Sequence, residues 1–97
     1  EADNIGRKVK DMKLEGKLFI ANRLTEMKEV VTAGGSGPFS MQLEEALVLL
    51  CREMDIPAPM WMKKNTKEFA AFHQTIFFRE QYTEKVRFDR FQIRMLE

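Results

Sequence analysis

The chain holds one cysteine, Cys51, and one histidine, His73. A thiol and an imidazole within hydrogen-bond reach form a nucleophile–base pair, so this is the first chemistry to weigh. Their settings speak against it. Cys51 falls on the apolar side of a helical pattern, where a thiol behaves as a small hydrophobe. His73 follows Phe72 at the end of a second helical stretch, where an imidazole suits the negative end of the helix dipole. One Cys and one His cannot complete a structural zinc site, and no calcium-loop pattern of acids occurs. Asp89, between Phe88 and Arg90, is the acid in the most unusual surroundings. Joined by Glu84, Glu80 or His73 it would serve acid–base chemistry. An acid among core aromatics more commonly bonds to backbone or to arginine, and that is the expectation here. Gly34-Gly35-Ser36-Gly37 precedes a helix and could cradle an anion. No Lys-Ser/Thr follows it, the dinucleotide spacing is missing, and Pro38 lacks an amide, so it reads as a connector. The sequence predicts no catalytic residue, no metal and no cofactor.

A second chemistry is recognition. Eight of the ten aromatic residues (Trp61, Phe69, Phe72, Phe77, Phe78, Tyr82, Phe88 and Phe91) fall between Trp61 and Phe91. Lys63, Lys64, Lys67, Arg87, Arg90 and Arg94 are interleaved with them. Aromatic platforms in a positive groove bind single-stranded nucleic acid. Lys63, Lys64, Lys67, Arg90 and Arg94 are therefore candidate nucleic-acid contacts, against the alternative of a solvated outer face over an ordinary core. The RNA-recognition signature, a Lys/Arg-Gly-Phe core, is missing. Met60, Trp61 and Met62, stiffened by Pro57 and Pro59, are candidate interface anchors, with Trp61 otherwise closing off the core.

Composition narrows the classes. Ninety-seven residues make one domain, 1–97, with residues 33–37 as its glycine loop. Hydrophobic content of 44% and charged content of 32% are globular values. A net charge of +1 argues against a general polyanion binder. The lone cysteine excludes an internal disulfide framework and makes a reducing, cytoplasmic compartment the expectation. No apolar run reaches the roughly 18–20 residues of a membrane span, and the polar first 17 residues read as no signal peptide. The chain opens on Glu1 rather than Met, consistent with a trimmed segment.

The elements that must position these residues follow from periodicity. Residues 9–20 alternate, with Met12, Leu14, Leu18 and Ile20 on one parity, which predicts a half-buried strand. Gly16 on that parity marks a bulge or a close approach. Ala21-Asn22-Arg23 turns the chain, and Leu24 to Thr32 returns as a strand, with a helix as the competing reading. Leu43, Ala46, Leu47, Leu50, Cys51 and Met54 trace a helix entered at Pro38 and stopped by Pro57. Glu44 and Glu45 near its start and Arg52 near its end suit the dipole. A shorter helix covers Met60 to about Phe72, with Asn65 and Glu68 resembling a capping box. Thr75 to Phe78 is a short strand, and Arg79 to Glu84 a polar connection around Tyr82. Val86 to Leu96 is the last strand, with a bulge near Asp89; a helical face of Phe88, Phe91 and Met95 is the alternative. The order β-β-α-α-β-β predicts an α+β fold, an antiparallel sheet with one long and one shorter helix packed on one face.

Three stretches, Pro59-Met60-Trp61-Met62-Lys63-Lys64-Asn65, Phe77-Phe78 and Val86-Arg87-Phe88-Asp89-Arg90-Phe91-Gln92-Ile93, carry a resemblance. They resemble a family of short conserved hypothetical bacterial proteins of about this length. The resemblance implies a bacterial, cytoplasmic protein and carries over no catalytic residue. The expectation is thus a non-enzymatic interaction module, self-associating as a homodimer or homo-oligomer or binding a protein partner away from membranes. Eight Phe, seven Met and one Trp are many large apolar residues for so small a core. Nucleic-acid binding is the alternative, and a small enzyme built on Asp89 the last.

Overall fold

The computed structural model describes residues 11–33 and 37–96. It is α+β, in the expected order. Strand β1 is Met12–Ile20 and β2 is Arg23–Thr32. Helix α1 is Phe39–Glu53 and α2 is Lys63–Phe72. Strand β3 is Gln74–Phe78, a 3₁₀ turn follows at Arg79–Gln81, and β4 is Arg90–Leu96. All pairings are antiparallel, in the order β2-β1-β4-β3. Helix α1 packs against β1 and β2, and α2 against β3. Val9, Lys10 and most of the glycine connector lie outside the described residues.

The hairpin β1–β2 turns on Ala21 and Asn22, both with positive φ (51° and 65°), which matches the twist of the flanking strands. Leu24–Val31 is strand, not helix. Gly16 is a close approach rather than a bulge: a Cβ there would sit 2.8 Å from both Leu50 Cδ2 and Phe91 Cε1. The bulge lies further along, where Leu18 pairs with Glu26 but Phe19 with Leu24. Thr25 is the extra residue, and its hydroxyl donates to the Leu18 carbonyl at 3.2 Å.

Alternation puts Met12, Leu14 and Leu18 of β1, Val30 of β2, Phe77 of β3 and Phe91 and Ile93 of β4 under the helices, all buried. Leu43, Ala46, Leu47, Leu50 and Cys51 of α1 meet them. Pro38 caps α1 from just outside it, its carbonyl accepting the amides of Met41 and Gln42. Glu44 and Glu45 sit beyond the first turn, which holds no acid, so they do not serve the dipole as expected. The helix ends before Pro57. Asp55 turns left-handed at φ 58°, Ile56 N–H donates to the Cys51 carbonyl at 3.0 Å and Asp55 N–H to Arg52 at 3.1 Å, the paired bonds of a Schellman stop.

Helix α2 starts at Lys63, three residues later than expected, because Met60 is tied to Gln81 in both directions: Met60 N–H to the Gln81 carbonyl at 2.7 Å, and Gln81 Nε2 to the Met60 carbonyl at 3.0 Å. Asn65 is not the N-cap. It lies in the first turn, its Oδ1 reaching back to Met62 N–H at 2.9 Å. The last strand begins at Arg90 rather than Val86. Val86 and Phe88 are buried ahead of it, and Asp89 N–H bonds to the Phe19 carbonyl at 2.8 Å. Phe88 breaks the parity because it precedes the strand; no bulge is needed there. Edge strand β3 is short, and its middle residue, Ile76, has its carbonyl taken by Lys64 Nζ (3.1 Å) and Asn65 Nδ2 (3.2 Å).

Candidate functional sites

Two surfaces stand out, one on each layer. On the helical layer, α1 and α2 diverge over an apolar groove of about 800 Å³. Its floor and walls include Leu43, Leu47, Trp61, Phe69 and Met95, with Phe39 and Val48 at the mouth, 50% and 41% exposed. Trp61 is half-buried. Its indole N–H donates to Thr66 Oγ1 at 2.8 Å, and its ring packs against Phe69 and Phe77, with centroids 6.1 and 5.6 Å apart. Trp61 thus closes the core and lines the groove at once. Met60 and Met62 flank it in sequence and are themselves exposed. His73 lies on the same groove, left-handed at φ 58°, with its N–H closing α2 onto the Phe69 carbonyl.

The other surface is the sheet face turned away from the helices. Residues directly opposite on neighbouring strands share a face, so the register defines its rows. One row runs Leu24–Phe19–Arg90–Phe78 and the next Met27–Lys17–Gln92–Ile76. The third is Glu29–Glu15–Arg94–Gln74. In the first row Arg90 lies 4.4 Å from the Phe19 ring centroid, and its guanidinium donates to Asn22 Oδ1 at 2.9 Å. Lys64 reaches over from α2 to sit 4.8 Å from the centroid of Phe78. Arg94 is spent on Glu15, at 3.5 Å, which also has Lys17 at 3.8 Å. Of the five candidate basic residues, the structure brings Lys64 and Arg90 to one end of this face. Arg94 lies two rows away, and Lys63 and Lys67 stay exposed on α2.

The residues weighed for catalysis are dispersed into structural roles. Asp89 Oδ2 accepts Ala21 N–H at 2.6 Å and its other oxygen pairs with Arg79. Cys51 is 2% exposed, and burial pushes its thiol up to about 12. Among the described residues no group of three His, Cys, Asp or Glu could hold a metal ion. Tyr82 is buried with its hydroxyl unpartnered among the described residues, and burial, with Cys51 nearby, raises its pKa.

Sequence reasoning missed the polar centre of the molecule. Asn65, Thr75 and Gln81 are all buried. Asn65 Nδ2 donates to Thr75 Oγ1 (2.8 Å), Gln81 Nε2 donates to Asn65 Oδ1 (2.9 Å), and the Thr75 hydroxyl donates to Glu68. The cap-like spacing of Asn65 and Glu68 was its only trace in the chain.

Fold and surfaces together define a two-layer α+β protein in which, among the described residues, no helix covers the second sheet face. No family model matches the chain, nor does any curated protein or solved structure. Among the described residues no helix is long and apolar enough to cross a membrane.

Proposed function

We propose that the protein is a non-enzymatic interaction module that docks an apolar segment of a protein partner between α1 and α2. The observation that supports this is the groove itself. Its α1 wall runs from Phe39 to Val48, about 15 Å at ~1.5 Å per residue, room for nearly three turns of a partner helix laid in by its apolar face. Trp61, backed by Phe69 and Phe77, is the kind of aromatic anchor on which such interfaces depend. The buried, reduced Cys51 fits a cytoplasmic setting.

The test is affinity capture from nuclease-treated native extract with the wild-type chain and with Val48→Asp, a mouth residue already 41% exposed. A protein retained by the first and lost by the second supports the reading. A retained set that Val48→Asp leaves unchanged removes it.

A second reading, self-association as a homodimer, is favoured by β2. Leu24, Met27 and Val31 on this edge strand are 52%, 58% and 52% exposed. Sedimentation over a range of concentrations, with Met27→Lys as comparison, tests it: a wild-type dimer that Met27→Lys renders monomeric supports it, and a monomer throughout ends it.

A further inference from the structure

We propose that one end of the open sheet face binds single-stranded nucleic acid, with bases stacked at Phe19 and Phe78 and phosphates held by Arg90, Lys64 and Lys17. This goes beyond protein docking and uses the opposite layer of the molecule.

Two aromatic rings stand in one row of the sheet, on β1 and β3, with Arg90 of β4 between them. Each ring has its own cation: Arg90 at Phe19 and Lys64 at Phe78. Base stacking needs a ring presented on an accessible surface; Phe78 is 43% exposed and Phe19 half-buried beside Arg90. A nucleotide stacked on a ring brings its phosphate within a few ångströms of it, which is where these cations lie. Arg90 offers a second stacking plane in its guanidinium.

Charge supports the same occupant. The two rows at this end hold Arg90 and Lys17, joined by Lys64 from the helix, and their eight residues include no acid; Lys17 shares Glu15 of the third row with Arg94. The carboxylates of the face, Glu15 and Glu29, stand in the third row. Asp89, near this end, is neutralised by Arg79. The whole chain carries only +1, but the charge is separated along the sheet, and this end is cationic. Gln92, in the second row and half-exposed, adds an amide able to bond a base edge.

Geometry selects single strands. The rings are two strands apart, about 10 Å at ~4.8 Å per strand. Bases stacked in a duplex are ~3.4 Å apart, so only splayed, unpaired bases reach both rings.

Fluorescence anisotropy with labelled DNA and RNA single strands of about 12 nucleotides and the matching duplex tests this. The expected result is binding of single strands in preference to duplex, with a log–log salt slope of about −2 for three contacts. Phe78→Ala weakens it by roughly 5- to 150-fold, and Lys17→Gln flattens the slope by about 0.7. Arg52→Gln, exposed on the last turn of α1 in the other layer, changes neither. Phe78→Leu, which keeps the bulk and removes the ring, serves if the alanine variant does not fold. A preference for RNA over DNA would assign the sugar as well. No single-strand binding at low ionic strength, equal binding to duplex, or binding indifferent to loss of the Phe78 ring overturns the proposal. Val48→Asp, on the opposite layer, leaves binding intact, so failure here is distinct from failure of the groove.

Discussion

The carboxylate of Asp89 accepts the backbone amide of Ala21 at 2.6 Å across a sequence separation of 68 residues. Its other oxygen holds Arg79, so one side chain fastens the left-handed β1–β2 turn to the entry of β4 and the end of β3. Asp89→Ala therefore costs about 1–2 kcal/mol, the charged bond to a turn amide being discounted for partial exposure. Asp89→Asn, which keeps an acceptor for Ala21, recovers part of it. Thermal denaturation measures both, and hydrogen exchange at Ala21 quickens in the alanine variant.

Asn65 serves four partners, accepting from Met62 and Gln81 and donating to Thr75 and Ile76. Asn65→Ala strands several buried groups at once and costs about 3 kcal/mol or more. Urea unfolding reads this as a lower midpoint at unchanged slope.

Gly16 has no room for a methyl group. A Cβ would meet Leu50 and Phe91 at 2.8 Å and Met54 Sδ at 3.0 Å. Leu50 and Met54 can swing their ends aside, but the Phe91 ring cannot shrink. Gly16→Ala is destabilising by about 1–3 kcal/mol, measured by the same unfolding assay.

Tyr82 has the opposite problem, a buried hydroxyl without a partner among the described residues, its ring in edge contact with Phe88 at 5.3 Å between centroids. Tyr82→Phe keeps the ring and removes the unpaired group, raising stability by about 1 kcal/mol. A lower melting temperature would show that the hydroxyl has a partner in solution.

Alkali destabilises the fold through the same region. Burial raises Cys51 from 9.0 to about 12, and Tyr82 upward from 10.0. The unfolded chain releases these protons first, so stability is fully present below pH 9 and falls as pH climbs toward 12. Each proton contributes a slope of about 1.4 kcal/mol per pH unit. Cys51→Val moves the onset from near pH 9 to near pH 10, the ordinary range of Tyr82. Denaturant midpoints across this range check it.

Much of the architecture was legible in the chain. The alternation around Leu14 and Leu18 marked β1, the spacing of Leu43, Leu47, Leu50 and Cys51 marked α1, and Asn22 marked the turn. What was not legible depends on distant partners. Arg79 to Glu84 looks like a polar connection, yet Gln81 is buried because Asn65 and Met60 await it. Val86 and Phe88 look like strand because their types suit one, yet among the described residues nothing pairs with them in the sheet. Asp55 ended α1 where only Pro57 advertised a stop. For the recognition surfaces, Lys64 and Arg90 were marked as candidates, but Phe19 belongs to the same row only through a register that no local pattern encodes.

The two margins of the sheet are unlike. At β3 the strand is five residues long with its central carbonyl already occupied by α2; β2, ten residues long, has no strand on its outer side among the described residues. Strand addition therefore has a direction. Among the described residues β2 is the longer template, and two copies joined there would present their short β3 edges, each with the Ile76 carbonyl taken, on both flanks. A pair built on β2 would end at those β3 edges, which would separate it from the open-ended growth that an exposed, apolar edge otherwise invites.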